Sequence, residues 1–375
     1  MRRFFPLFLA ILACSAAPTV PLAQTKTRCI LHSDSAHVKI DTCTVVVTPP
    51  PPPPAPAPPP PPPPPPSGCL RSVSVSTVGP LTTALGAALP GDCITLAPGT
   101  YTLAASLIMS KSGTATAPIT IRGAGTTSII NVNQKYIYLD GSYVHLNNVR
   151  ITNLNSIGFW LRGVTGVVID SIELDHTLQE AFAFKNGSKR NTISHSLIHD
   201  TGINNGQYGE GVYVGGKIGT AYDSATDNVI AYNHIGPNVR AEGVDIKEGA
   251  DRTTVKGNYF DGTGEVFINY ATTSVIAVVG SYALLDSNFI RPGDPHGVSF
   301  IQGAGPMRGN VATRNTIDLL QNRTGMPWSS VFTTAASILG FQLQTYTYAN
   351  GIVIKCNNVM LNGGRLTNSP NGCTP

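Results

Sequence analysis

The sequence predicts an all-β chain wound into a β-solenoid behind a leader and a proline-rich linker. Three observations predict it. From Cys69 onward the chain consists of short Val-, Ile-, Thr- and Asn-rich runs broken by glycine, with hardly a helical stripe. One five-residue pattern recurs through that region at fixed register. Of 30 prolines, 16 fall between Pro49 and Pro66, so they form a linker and leave the rest of the chain free to pair. Lys and Arg number 25 against 21 Asp and Glu, and Arg2 and Arg3 account for half of the net charge of +4. This near-balance excludes a nucleic-acid-binding footprint.

Residues 1–23 read as an export signal: Arg2 and Arg3, an apolar run from Phe4 to Ala13, then small residues at 15–17. A run of about ten residues is too short to span a bilayer. Ile11-Leu12-Ala13-Cys14 also resembles a lipoprotein cleavage box, with isoleucine where leucine is expected. Removing the leader leaves six cysteines, an even number that favours disulfides in an exported chain. Proximity pairs Cys29 with Cys43, Cys69 with Cys93 and Cys356 with Cys373, among the fifteen arrangements that six cysteines allow. No pair has the CxxC spacing of a zinc site. Residues 24–48 are too few for a core and read as a disulfide-tied tail or anchor, and 49–68 as a linker whose Pro49–Pro66 run makes a stiff polyproline rod of about 56 Å. Residues 69–375 form the solenoid, and the expectation is a secreted or surface-displayed monomer with no membrane span.

Within 69–375 the one helical stripe is Pro80–Leu89, with Leu81, Leu85 and Leu89 on one side. Pro90-Gly91-Asp92-Cys93 follows, leading through Ile94 and Leu96 to Tyr101. Helix and motif together resemble the opening of secreted right-handed parallel β-helices of the pectate-lyase-like superfamily, where a helix covers the apolar cross-section of the first coil. The resemblance implies a single-stranded right-handed parallel β-helix with a short N-terminal capping helix, and about 300 residues at ~25 per coil give roughly twelve coils.

The repeats can be aligned by hand. Segments beginning at Gly158, Ala181, Gly211, Gly243, Gly297 and Gly351 each read small, apolar, variable, apolar, variable, and 275–279 supplies a further strand. A second series, Ile193–Ser196, Ile230–Asn233, Val255–Asn258 and Leu285–Asn288, places Asn or Ser three residues after an apolar one. Such asparagines stack and pair between coils, so Asn233, Asn258 and Asn288 are structural. Turn histidines His195 and His199 are read as hydrogen-bonded turn residues before catalytic ones.

Function must lie on side chains that period-two alternation turns outward. If Val244 and Ile246 point inward, Asp245 and Lys247 point outward, and the matching residues are Ala183 with Lys185, Tyr213 with Gly215, Ala277 with Val279, and Ser299 with Ile301. Before the strands, Glu180, Glu210 and Glu242 fall in one register on successive coils, with Ile157, Ser274, His296 and Asn350 in the same place elsewhere. Carboxylates stacked ~4.8 Å apart repel by about 3.5 kcal/mol per neighbouring pair at an effective dielectric of 20. Such a column needs a bound cation, nearby Lys185, Lys247 and Arg240, or a protonated carboxyl; alternatively the turn splays the three into solvent. Calcium suits an all-oxygen site in an exported protein. Longer steps through Asp200–Tyr208 and Lys217–Asp227 insert extra chain at the same coils.

Tyr208–Gly215, Glu242–Gly249 and Gly257–Gly264 look like a signature of exported pectate-lyase-like β-helix proteins. Glu242 to Lys247 is also similar to the motif of alginate lyases and chondroitinase B, where a strand-start glutamate binds calcium and a lysine five residues later is the base. Here the next coil lacks the arginine which that family supplies. The resemblance implies β-elimination on an acidic, uronate-containing polysaccharide, with Lys247 as base, Tyr213 as acid and Glu180, Glu210 and Glu242 as cation ligands. Lys185, Arg162 and Arg240 would bind neighbouring uronates, and His296 gains weight from its place in the glutamate column. A glycoside hydrolase using Asp245 with Glu210 or Glu242, and a non-catalytic carbohydrate-binding or adhesive solenoid, are the alternatives.

Overall fold

The computed structural model describes residues 68–375 except 205, 217–222, 266–273, 293–295, 302, 304–306, 319–338, 344–350, 363 and 370–371, together with the backbone of 24–34 and 37–48. Two compact units divide the chain, Met1–Pro54 and Ala55–Pro375. In the first, Gln24–Asp34 and His37–Thr48 pair antiparallel, with Cys29 opposite Cys43. The leader, the proline-rich run and the side chains of the expected 29–43 disulfide lie outside the described residues.

The second unit is a parallel β-helix. Each coil lays strands on three faces, and every strand pairs in parallel with its equivalent one coil on. The first face runs from Arg71–Val75 to Val353–Ile354, and the second from Gly99–Thr102 to Val359–Leu361. The third runs from Leu107–Met109 to Arg365–Thr367. Among the described residues this third face stacks ten strands, against the roughly twelve coils expected. Inward-pointing Phe159, Phe182, Phe184, Phe260, Phe300 and Phe341 fill the bore together with aliphatic residues.

One corner of the solenoid has a simple sequence rule. His195, Tyr232, Gly257, Ser287 and Arg314 adopt positive φ, and each is followed by a buried polar residue, Ser196, Asn233, Asn258, Asn288 or Asn315. The left-handed residue turns the chain, and the amide that follows repairs the backbone hydrogen bonds which the turn breaks. Asn233 Nδ2 donates to Asn258 Oδ1 at 3.0 Å, Asn258 to Asn288 at 3.0 Å, Asn288 to Asn315 at 2.9 Å and Asn315 to Asn358 at 2.8 Å. Each Oδ1 also accepts a backbone N–H from the preceding coil. The structural role expected of 233, 258 and 288 is the one seen, and 315 and 358 extend it.

The capping helix spans Val78–Gly86 and buries Leu81 and Leu85 against the first coil. Leu89 lies past its end and is 59% exposed, so the stripe expected over Pro80–Leu89 is displaced toward the N-terminus. The helix closes at Ala87, whose N–H bonds the Thr83 and Ala84 carbonyls, before Leu89 can join it. Disulfides Cys69–Cys93 and Cys356–Cys373 form as proximity suggested. One repeat assignment is corrected. Val353–Ile354 pairs with Val311 and Ala312 on the first face, whereas the third-face partner of Val298–Phe300 is Phe341–Leu343. The small-apolar-variable pattern occurs on more than one face, and Gly340-Phe341-Gln342-Leu343 also satisfies it.

Candidate functional site

On the third face, Phe182–Lys185, Val212–Val214 and Val244–Ile246 lie side by side, with Ala183, Tyr213 and Asp245 in register. Two residues before each strand, the backbone carbonyls of Glu180, Glu210 and Glu242 accept the N–H groups of Gly158, Ala181 and Gly211 at 2.7, 2.9 and 2.9 Å. The column of glutamates is therefore a geometrical fact. Its side chains are not splayed into solvent: Glu180, Glu210 and Glu242 are 7, 4 and 6% exposed, and Asp245 and Tyr213 are 1 and 7%. The expectation that this outward face lies open is thus corrected at the middle coils, where Ala183, Ala277 and Ser299 are buried as well. Alternation gives the direction of a side chain and not what packs over it.

Carboxylate oxygens of Glu210, Glu242 and Asp245 lie within 4.8 Å of one another. Asp245 therefore belongs with the acidic column, to which it adds a charge from within the strand. Glu210 Oε2, Asp245 Oδ1 and Glu180 Oε2 are buried and meet no hydrogen-bond donor among the described residues. Burial, reinforced by Glu242, Glu180 and Asp245, pushes the Glu210 carboxyl well above the usual carboxylate range. Burial raises Glu180 as well, opposed by Lys185 and Lys247.

Three groups face this cluster. Lys247 Nζ forms an ion pair with Asp245 Oδ2. Burial alone would lower its pKa, but the charges of Asp245, Tyr213 and Glu242 outweigh that effect and raise it. Lys185 Nζ sits 3.6 Å from the centre of the Tyr213 ring and donates to the Gly215 carbonyl at 2.6 Å. Burial pushes it down to about 8, against the pull of Glu180, Asp223 and Asp245. Lys247 Nζ lies 5.3 Å from the same ring, so the phenol is flanked by two ammonium groups. Burial raises the Tyr213 pKa, and the phenol keeps its proton at neutral pH.

An alginate lyase from Paenibacillus sp. str. FPU-7 is similar at 31% identity with a TM-score of 0.69, covering 79% of this chain and 97% of that one. The chain belongs to the pectate-lyase-like superfamily of parallel β-helix proteins. Two further structures share the fold. The pectate lyase Pel9A has 16% identity and a TM-score of 0.58, over 80% of this chain and 78% of that one. A mutant of the PL6 family alginate lyase AlyGC has 16% identity and a TM-score of 0.50, over 72% of this chain and 40% of that one. No family model and no curated protein matches the sequence.

In this superfamily member the remaining expected residues are dispersed. Arg162 is in register with Lys185, but its Nε and Nη2 bond Asp140 at 2.7 and 2.6 Å. Arg240 is exposed. His296 is in register with Ser274 and extends the column, yet it is buried, its Nδ1 accepts the Leu339 N–H at 3.1 Å, and burial drops its pKa to about 4. A neutral imidazole brings no positive charge to a uronate. The turn histidines are engaged as expected: His195 Nδ1 lies 2.7 Å from Asp170, and His199 Nδ1 2.7 Å from Asp200. Glu173, Asp175 and His199 form a second acidic group on the second face. There Arg150 Nε at 2.7 Å, the Thr152 hydroxyl and His176 Nδ1 at 2.5 Å already occupy Asp175. The link missed in the sequence is Lys185 with Tyr213: they lie on successive coils, and the alignment placed them in neighbouring outward positions without showing that a long side chain reaches across.

Proposed function

We propose that the protein is an exported lyase that cleaves a uronate-containing polysaccharide by β-elimination. One observation carries the reading: Tyr213 is flanked by the ammonium groups of Lys185 and Lys247 beside a carboxylate cluster, in a chain 31% identical to an alginate lyase over 97% of that enzyme. Two disulfides favour an oxidising compartment. Among the described residues no helix is long and apolar enough to cross a membrane.

Elimination needs a counter-charge on the C6 carboxylate, a base for the C5 proton and an acid for the departing oxygen at C4. Lys247, kept protonated by Asp245, supplies the counter-charge, which revises the base role that the motif resemblance gives it. Lys185 suits the base: with its pKa at about 8, about a tenth of it is neutral at pH 7. Tyr213, protonated in the resting enzyme, donates to the leaving oxygen. The C5–H and C4–O bonds break, a C4=C5 double bond forms, and the resting state returns when Lys185 gives its proton up to solvent and Tyr213 regains one from it.

Calcium fits the acidic cluster. A span of 4.8 Å among donor oxygens is about twice a Ca–O distance of ~2.4 Å, and the buried oxygens of Glu210 and Asp245 lack partners among the described residues. Glu210, Glu242 and Asp245 would hold the ion, with Glu180 adding charge from the preceding coil. When bound, the ion would offset their repulsion and draw in the uronate carboxylate.

The test is a panel of alginate, pectate, glucuronan and chondroitin, with and without a calcium chelator, followed by ultraviolet absorbance of the unsaturated product. Wild type should produce it from at least one polymer, and Lys185→Ala and Lys247→Ala should each reduce it at least a hundredfold. Reducing ends without that absorbance would establish a hydrolase instead, and binding without cleavage an adhesive solenoid.

A further inference from the structure

The outward column that carries Asp245 and Tyr213 continues toward the N-terminal coils through Ala183, Trp160, Tyr138 and Ile108, each in register with the next. Its character differs on the two sides of the centre. Toward the C-terminus Ala277 and Ser299 are buried. Toward the N-terminus Trp160 and Tyr138 are half-buried and Ile108 is 55% exposed.

Trp160 and Tyr138 have ring centres 6.3 Å apart at 51°, and Tyr136 stacks on Tyr138 at 5.6 Å and 20°. Trp160 Nε1 donates to the Ile157 carbonyl at 3.0 Å, which fixes the indole. The Arg162 guanidinium lies 4.0 Å from the Tyr138 ring centre while bonded to Asp140, so its charge is already matched and it braces the ring. Arg162 and the stacked Tyr136 occupy the Tyr138 ring, so the flat apolar surface left to a ligand is the half-buried Trp160, held against Tyr138 with its N–H already bonded. A pyranose has one face rich in C–H groups, which aromatic rings bind by stacking. Successive coils advance by ~4.8 Å, comparable with one sugar of an extended chain. A polymer laid along the solenoid axis would thus bring a sugar over Trp160, about two coils from Tyr213.

We propose that Trp160, positioned by Tyr138, forms a stacking platform for a non-reacting sugar of the uronate polymer, on the N-terminal side of the centre at Tyr213 and Lys247. The identity of the polymer rests on the lyase reading above, whereas the platform itself rests on register and ring geometry. Arg162 acts through Tyr138 as a positioning residue and does not bind a uronate by charge.

Calorimetry with alginate disaccharide and hexasaccharide tests this, using Lys247→Ala as a slow-turnover parent and adding Trp160→Ala or Tyr138→Ala. The hexasaccharide should bind the parent more tightly than the disaccharide. Each added substitution should weaken hexasaccharide binding about tenfold, the scale of one lost stacked ring, and leave the disaccharide unchanged. Trp160→Phe and Tyr138→Phe should restore most of the loss, and near-ultraviolet circular dichroism checks that the variants are folded. An unaltered hexasaccharide affinity, an equal loss for both lengths, or no binding by the parent would overturn the platform. Hexasaccharide binding that depends on Trp160, in a protein that yields no unsaturated product from any polymer, would keep the platform and remove the lyase assignment. Normal cleavage with length dependence unaffected by Trp160→Ala would do the reverse.

Discussion

At the scale of single residues, the site is governed by how few counter-charges meet how many buried carboxyls. Lys247 is committed to Asp245, and Lys185 is held low by burial, so of the two lysines Lys185 is the one that loses its charge as pH rises through about 8. With Lys185 as base, kcat/KM should climb with pH through about 8 and level off above it. A Lys185→Arg variant, which cannot lose its proton, should lose activity at every pH tested while still binding polymer. A flat profile in wild type would remove Lys185 from the chemistry.

Glu210 gives a stability prediction of definite sign. A carboxyl whose folded pKa is raised contributes stability that is fully present below its unfolded value and is lost as pH rises through the folded one. In chelator, Glu210→Gln should therefore gain in melting temperature relative to wild type as pH is raised from about 5 to about 8. Calcium should narrow the gap by stabilising wild type, and an equal response of both proteins to calcium would place the ion elsewhere. His296 works in the opposite direction. Its folded pKa of about 4 lies below the unfolded value of about 6.5, so stability is present above 6.5 and falls as pH drops toward 4. The loss amounts to about 3 kcal/mol, and His296→Gln should flatten that part of the melting-temperature profile.

At the scale of elements, the asparagine ladder shows what a sequence states openly. Asn233, Asn258 and Asn288 follow an apolar residue at constant spacing, and amides in such a place have little to do except pair across coils. Replacing Asn258 with leucine would strip the acceptor from the Asn233 backbone N–H, one of two acceptors from the Asn233 side-chain amide and one of two donors from Asn288 Oδ1. It should cost about 2–4 kcal/mol in urea or thermal unfolding; a cost under about 0.5 kcal/mol would mean that the ladder contributes nothing. Gly257 is constrained twice, by a φ of 64° and by the Tyr232 ring, 2.6 Å from where a Cβ would sit. The register of Tyr213, Asp245, Ala277 and Ser299 was equally legible, because strands of period two preserve it whatever the loops do. What could not be read was burial on the outward side, since alternation is blind to covering chain. Nor could the assignment of Gly351–Lys355 be settled by a pattern that two faces share. The pairing of Lys247 with Asp245 follows from their spacing of two on one strand, but its effect on the base assignment needed the burial as well.

At the scale of the whole molecule, each coil contacts only its neighbours, so stability accumulates along one dimension and the two ends are the weakest places. The helix Val78–Gly86 and Cys69–Cys93 secure one end, and Cys356–Cys373 the other. Each bridge closes a short loop worth about 3 kcal/mol in the chain-entropy account. Reduction should bring hydrogen exchange in the terminal coils close to that of a frayed end, with strands 182–246 still protected.

Because both extremities are stapled, a protease that nicks the exposed loops over the middle coils should leave a clipped protein whose halves stay clasped through the inter-coil ladders. It would still migrate as one species in native gels and fall into two fragments in detergent. That tolerance of cuts lets the connecting loops diversify while the spiral beneath them endures.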